Sequence, residues 1–330
     1  MITARLARIA LVVAALASLI GVPSASSGAS SPRWYVFTPG HGIPVYYSIV
    51  RTADNAMWIP DNASGDLTRL SADGKHVTTF SLYPYHPEIM ILGPHGDFYI
   101  NSLGSGAIAI VKQSGSYQTY PIPPGDYAFG GLAVGADGNV WFVEESHVGR
   151  ITPAGVITLF PYIKYSLSNT GITPGPDGKL WFVGNTQHGI VGNIDPFTKK
   201  FTTYALLRAQ WCYPHAIISA PDGNLWFTCQ HGGIGMITTT GSYTMFQMPG
   251  FNFSESPQCL FIGPDGKLWL SGGTSGPAEL IRFDLHTHQL TTWRAPGYIS
   301  QPVSITSDPE ANVWGVTPSS QVMVFVRRSL

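Results

Sequence analysis

The sequence predicts an all-β fold, a seven-bladed β-propeller closed by pairing the N-terminal strand with the last blade. Three observations predict it. An eight-residue phrase recurs along the chain. Its aromatic residue returns at a period in the forties. The strands left over at the two ends complete one another.

The phrase is "GPDGKLWF" at Gly175–Phe182 and "GPDGKLWL" at Gly263–Leu270. Looser copies are "GPHGDFYI" from Gly93, "GADGNVWF" from Gly135 and "APDGNLWF" from Ala220. Aligned on the aromatic, the units fall at Trp58, Tyr99, Trp141, Trp181, Trp226, Trp269 and Trp314, with spacings of 41, 42, 40, 45, 43 and 45 residues. Such a period, with several short strands per unit, marks a propeller.

Each unit has the same parts. A proline often stands twelve residues before the aromatic, as at Pro87, Pro214, Pro257 and Pro302. A short apolar strand follows, as in "AIISA" or "CLFIG". The G-x-D-G tetrad then makes a hairpin, because Asp bonds its own backbone and Gly supplies positive φ. The "LWF" strand leaves that hairpin. A third strand reads "HVGRIT", "GIGMIT", "AELIRF" or "DLTRLS". A fourth alternates Thr with aromatics, as in "FTTYAL" or "LTTWRA", the pattern of a strand with one buried face. After Trp314 the chain supplies a third strand, in "QVMVFVRRSL", and no fourth. The missing strand is "WYVFTP" (Trp34–Pro39) at the other end, and pairing the two removes the open edge.

Composition agrees. The chain of 330 residues is 44% hydrophobic and only 11% charged, with 37 Gly and 26 Pro, which suits a turn-rich β protein. Net charge is −1 and no basic cluster interleaves with aromatics, so nucleic acid is excluded as an expected partner. Residues 1–30 read as a signal peptide and short linker: Arg5 and Arg8, then an uncharged apolar run from Ile9 to Val22, then small residues. Cleavage is expected between Ser24 and Ser30. The expected product is one propeller over residues 31–330, exported to the periplasm or beyond, off the membrane and monomeric. Three cysteines, Cys212, Cys229 and Cys259, fit one disulfide plus one free thiol, with the pairing open.

Propeller function usually lies at one mouth of the channel. Two positions per unit should meet there, eleven residues before the aromatic and three after it. The first reads Tyr47, Glu88, Gly130, Thr170, His215, Gln258 and Val303 around the ring. The second reads Asp61, Ser102, Glu144, Gly184, Cys229, Gly272 and Thr317. Tyr47, Glu88, Thr170, His215 and Gln258 are the candidate ligand-binding rim. His215 is the candidate base, and Asp61 and Glu144 are candidate metal ligands.

The stretches "PHAIISAPDGNLWFT" (Pro214–Thr228) and "WFVEESHVGRITPAG" (Trp141–Gly155) resemble the virginiamycin B lyase, or streptogramin lyase, family. That resemblance implies a seven-bladed propeller whose enzymes open type B streptogramin rings by elimination. It implies a magnesium ion at the channel mouth and a histidine that takes the proton α to the carbonyl. His215 matches the family's substrate-binding histidine. The catalytic base matches Gln258, and an amide cannot take a proton at neutral pH. The metal carboxylates match Ser256 and Gly272, with Glu255 beside the former. The reading is therefore a lyase-like propeller that binds a small or peptide-like ligand at its mouth without the standard lyase site. One alternative is an active metal-dependent lyase or hydrolase with a relocated site: His215 as base, Glu88 with Glu144 or Asp61 on the metal. Another is a protein-interaction propeller using loop aromatics such as "YPYHPE" (Tyr83–Glu88) or "FNFSES" (Phe251–Ser256).

Overall fold

A buried tryptophan needs an apolar slot for its ring and an acceptor for its N–H. The repeated phrase supplies the acceptor. In the computed structural model, the indole Nε1 of Trp141 donates to Asp137 at 3.0 Å, Trp181 to Asp177 at 2.8 Å and Trp226 to Asp222 at 3.0 Å. Trp269 donates to Asp265 at 3.1 Å and Trp314 to Asp308 at 2.9 Å. The Asp also bonds the turn's own backbone, as expected: the Asn224 N–H donates to Asp222 at 3.1 Å. The second unit shows the logic by exception. Its aromatic is Tyr99, which has no indole N–H, and its turn carries His95 in place of Asp. In the first unit Thr52 takes over, accepting from Trp58 Nε1 at 3.2 Å.

The structure describes residues 33–37, 48–72, 75–102, 105–123, 130–162, 167, 170–184, 189–206, 212–229, 232–248, 252–253, 259–273, 278–297, 299–317 and 321–326. Their strands form seven separate antiparallel sheets. Within each blade the G-x-D-G hairpin or its variant joins the first two strands. The first strands of neighbouring blades touch one another around the whole ring, so they line its centre. The N-terminal strand Arg33–Phe37 pairs with Val322–Val326, in register from Arg33 opposite Val326 to Phe37 opposite Val322. It is the outer strand of the last sheet, so the ring closes as the sequence predicts. One blade departs from the expected four strands. The sixth sheet has five, because Asn252–Phe253 pairs with the mouth end of Leu268–Gly273 while Leu260–Ile262 pairs with its other end.

The core is seven wedges, each between two blades. Trp226 of blade five packs with Leu268, Leu270, Ile281 and Phe283 of blade six. Trp314 of blade seven packs with Ile49, Met57, Ile59 and Leu70 of blade one, so the closing interface is built like the others. A second covariation lies inside the blades. Phe142, Phe182 and Phe227 stand opposite Gly149, Gly192 and Gly235 on the third strand. A Cβ on those glycines would lie 2.1, 2.5 and 2.0 Å from the ring, so the ring occupies the missing side chain's place. Where the second strand carries an aliphatic residue, the third carries a larger one: Ile100 faces Ala109 and Leu270 faces Ile281. The described residues hold no helix long and apolar enough to cross a membrane.

Candidate ligand site at the channel mouth

Antiparallel pairing brings the two rim positions of a blade to one end. The Glu88 N–H donates to the Asn101 carbonyl at 3.0 Å, beside Ser102, and Pro214 is paired with Cys229. The Val303 N–H donates to the Val316 carbonyl at 2.9 Å, beside Thr317.

A ring of hydrogen bonds then ties each blade to the next near this mouth. Ser48 Oγ donates to the Met90 carbonyl at 3.2 Å. Asn101 Nδ2 donates to the Gly130 carbonyl at 2.7 Å. The Gly131 N–H donates to the Thr170 carbonyl at 2.8 Å, and the Gly171 N–H to the His215 carbonyl at 2.6 Å. Thr228 hydrogen-bonds the Cys259 thiol, whose pKa burial pushes up to about 12. Ser271 Oγ donates to the Pro302 carbonyl at 2.7 Å, and the Ile49 N–H to Ser304 Oγ at 3.2 Å. All seven junctions are crossed. Buried bonds of this kind fix the inner strands, because breaking one leaves a buried polar group unpaired.

The predicted rim residues take different places in this frame. Asp61 is buried and accepts from the N–H groups of Ala63 at 3.0 Å and Ser64 at 3.4 Å, so it closes its own turn. Glu88 is 8% exposed and accepts from Asn62 Nδ2 at 3.0 Å. Glu144 is fully enclosed at 0% exposure. Thr170 is buried and donates to the Leu167 carbonyl at 2.7 Å. His215 is 4% exposed on the innermost strand Pro214–Ser219. Tyr47, Gln258, Ser256 and Glu255 lie outside the described residues. Asp61, Glu88 and Glu144 belong to blades one, two and three in turn. Among the described residues no group of three His, Cys, Asp or Glu is placed to hold a metal ion.

Two features of the mouth escape sequence reasoning. One is the pairing of the cysteines. Cys212 and Cys229 form a disulfide with a Cα–Cα distance of 4.8 Å, and Cys259 is the buried free thiol. The other is Glu279, paired opposite Gly272 on the sixth sheet. It is buried, and its Oε1 accepts from Arg294 Nε at 3.0 Å and Nη2 at 2.8 Å. The signal was available: "AELIRF" and "LTTWR" place a Glu and an Arg at the facing ends of one hairpin.

The profile of the family described as "Virginiamycin B lyase family" matches residues 37–168 and 163–323, nearly the whole ring. The chain belongs to the virginiamycin B lyase family. A virginiamycin B lyase of Nocardia farcinica (strain IFM 10152) is 26% identical over 117 residues, 35% of this chain and 41% of that protein. The alignment thus spans less than half of that relative's length. Among solved structures, a catalytically inactive variant of virginiamycin B lyase from Staphylococcus aureus, with quinupristin, superposes with a TM-score of 0.79 at 20% identity. The match covers 90% of this chain and 100% of that one. The extracellular domain of a hybrid two-component system from B. thetaiotaomicron superposes with a TM-score of 0.71 at 13% identity, covering 91% of this chain and 40% of that one. At these identities the superpositions establish the propeller.

The magnesium that the family resemblance implies does not fit the described residues of blade six. Gly272 has no side-chain oxygen, and its backbone is paired with Phe253 on one side and Glu279 on the other. The carboxylate nearest in register, Glu279, is held by Arg294. A hard cation needs several oxygen ligands, preferably anionic.

Proposed function

We propose that this chain is an exported lyase-family propeller that binds a small, peptide-like ligand at its channel mouth without the family's elimination step. The observation that carries this reading is blade six. Gly272, Ser256 and Gln258 stand where the resemblance asks for two metal carboxylates and a base, and none can do that work. The rest of the mouth keeps a polar character suited to a ligand: Glu88, Glu144, Thr170 and His215 are buried polar residues in a chain poor in charge. Export is consistent with the basic-apolar-small order of residues 1–30 and with the disulfide.

The test uses quinupristin, the ligand named with the S. aureus structure. Purified protein is incubated with it in magnesium and then in chelator, and the mixture is read by chromatography and mass. Saturable binding with intact ligand in both conditions supports the reading. Chelator-sensitive ring opening at unchanged mass overturns it in favour of a relocated lyase site. Opening with a mass gain of one water would mean hydrolysis.

A relocated site has one observation behind it. Glu144 is fully enclosed and His215 nearly so, in blades three and five of the same mouth. Glu144→Ala abolishes ring opening on that reading, and leaves an inert protein inert on ours.

A further inference from the structure

Among the described residues, the innermost strand of blade five extends furthest toward the mouth. It begins at Pro214, twelve residues before Trp226, whereas that of blade two begins at Met90 and that of blade four at Ile172, each nine residues before its aromatic. The extension is not regular. Pro214 is paired with Cys229 and Ile217 with Phe227, so His215 and Ala216 together stand opposite Thr228 alone. That is a β-bulge. Bulges bend a strand and re-aim a side chain, and they concentrate next to binding sites. The bulge is closed from both sides. The Ala216 N–H donates to Thr228 Oγ1 at 3.4 Å, and the His215 carbonyl accepts from Gly171 of blade four.

The disulfide lies at the open end of this bulge. Cys212 is three residues before His215, and Cys229 is the next residue after Thr228. The bridge therefore joins Cys229, a member of the last backbone pair, to Cys212, two residues beyond its partner Pro214. Both cysteines are buried, so the bridge is fixed once the blade has folded. Gly189 of blade four packs against the same segment, with room for no Cβ: one there would lie 2.7 Å from the Cys212 carbonyl.

We propose that the Cys212–Cys229 disulfide is a positioning device that fixes the His215 imidazole at the channel mouth, and that ligand binding there depends on it. The second half of this statement rests on the binding reading above, and the first half does not. Misplacing a site group by about 1 Å can cost on the order of 100-fold in function, so an extra covalent constraint beside one rim residue has a direct use.

The test compares the wild type with Cys212→Ala/Cys229→Ala. NMR follows the His215 ring carbon–proton signal, assigned by its loss in His215→Gln, together with the indole N–H signals of the tryptophans. The expected result is a shifted or broadened His215 signal with a changed titration curve, unchanged indole signals of Trp58 and Trp141 in blades one and three, and quinupristin binding weakened about 10-fold or more. An unchanged His215 signal and titration in a folded double variant overturns the proposal, because the bridge is then only a staple. Should the double variant not fold, the same spectra are taken on wild type made in a reducing cytosol. Failure of that form to fold also overturns it, since the bridge would hold the blade and not the histidine. If the oxidised wild type does not bind quinupristin, the ligand reading fails, while the His215 signal still decides the positioning.

Discussion

Blades five and six are written in almost the same letters, "APDGNLWFT" against "GPDGKLWLS", and they finish differently at the mouth. In blade five the second strand ends on Cys229, bridged to Cys212 and paired with Pro214. In blade six the second strand ends on two glycines, and a separate strand, Asn252–Phe253, lies across them. The hairpin end of each blade is the same machine: a Trp, its Asp acceptor and a wedge. The mouth end varies between the two blades, and in blade five its Cys212 and Cys229 also pack into the wedge with Trp181. The hairpin end thus repeats between these two blades, and the mouth end does not.

Removing the shared part should have the largest effect. Trp226→Ala empties the wedge between these two blades, and a buried Trp→Ala change costs about 3–5 kcal/mol. The urea midpoint should fall accordingly, and a shift under a quarter of that size would mean that the wedge is not the unit of stability. Next comes the part peculiar to blade five. The bridge closes a loop with a sequence separation of 17. Its loss in Cys212→Ala/Cys229→Ala should cost about 3 kcal/mol, by loop-closure entropy, and calorimetry should show a lowered melting temperature.

The two blades also solve their inner packing differently, Phe227 against Gly235 in five and Leu270 against Ile281 in six. Gly235→Ala should destabilise by about 1–3 kcal/mol through overpacking. Adding Phe227→Leu should recover part of that loss, since it gives blade five the blade-six solution. A double variant no better than Gly235→Ala would show that the pairing of sizes is incidental.

The smallest effect expected is electrostatic and belongs to blade six. Asp284 is held well below its ordinary value of 3.8 by its hydrogen bond from Lys267, helped by the backbone N–H groups of Thr287 and His286. A folded-state pKa below the unfolded one contributes stability that is present above about 3.8 and is lost as pH falls below it. The drop in urea midpoint between pH 5 and pH 2.5 should therefore be smaller in Asp284→Asn than in the wild type. The Asp284 and Lys267 side chains are half-buried and still reached by solvent, so the difference should be small. Equal drops in the two proteins would remove Asp284 from the acid response.

The sequence by itself determined the ring. The seven aromatics, the G-x-D-G turns and the complementary ends at "WYVFTP" and "QVMVFV" are local or periodic signals, and a propeller is what they add up to. It also placed the two rim positions of blades two and seven at one end, because antiparallel register follows from hairpin length. It did not determine what those residues do there. Asp61 was legible as a carboxylate at the rim but not as the closure of its own turn. The bridge was legible as three cysteines in one region but not as the pair at His215's bulge. Glu279 was legible as facing Arg294 across a hairpin but not as a buried carboxylate at the mouth. The bridge depends on strands whose register a bulge has shifted and the Glu279–Arg294 pair on contact across a hairpin, whereas the Asp61 turn is made by its own neighbours in sequence. A repeat specifies its own hairpins through neighbours in sequence. The mouth is assembled from seven separate stretches of chain, and only the closed ring brings them together.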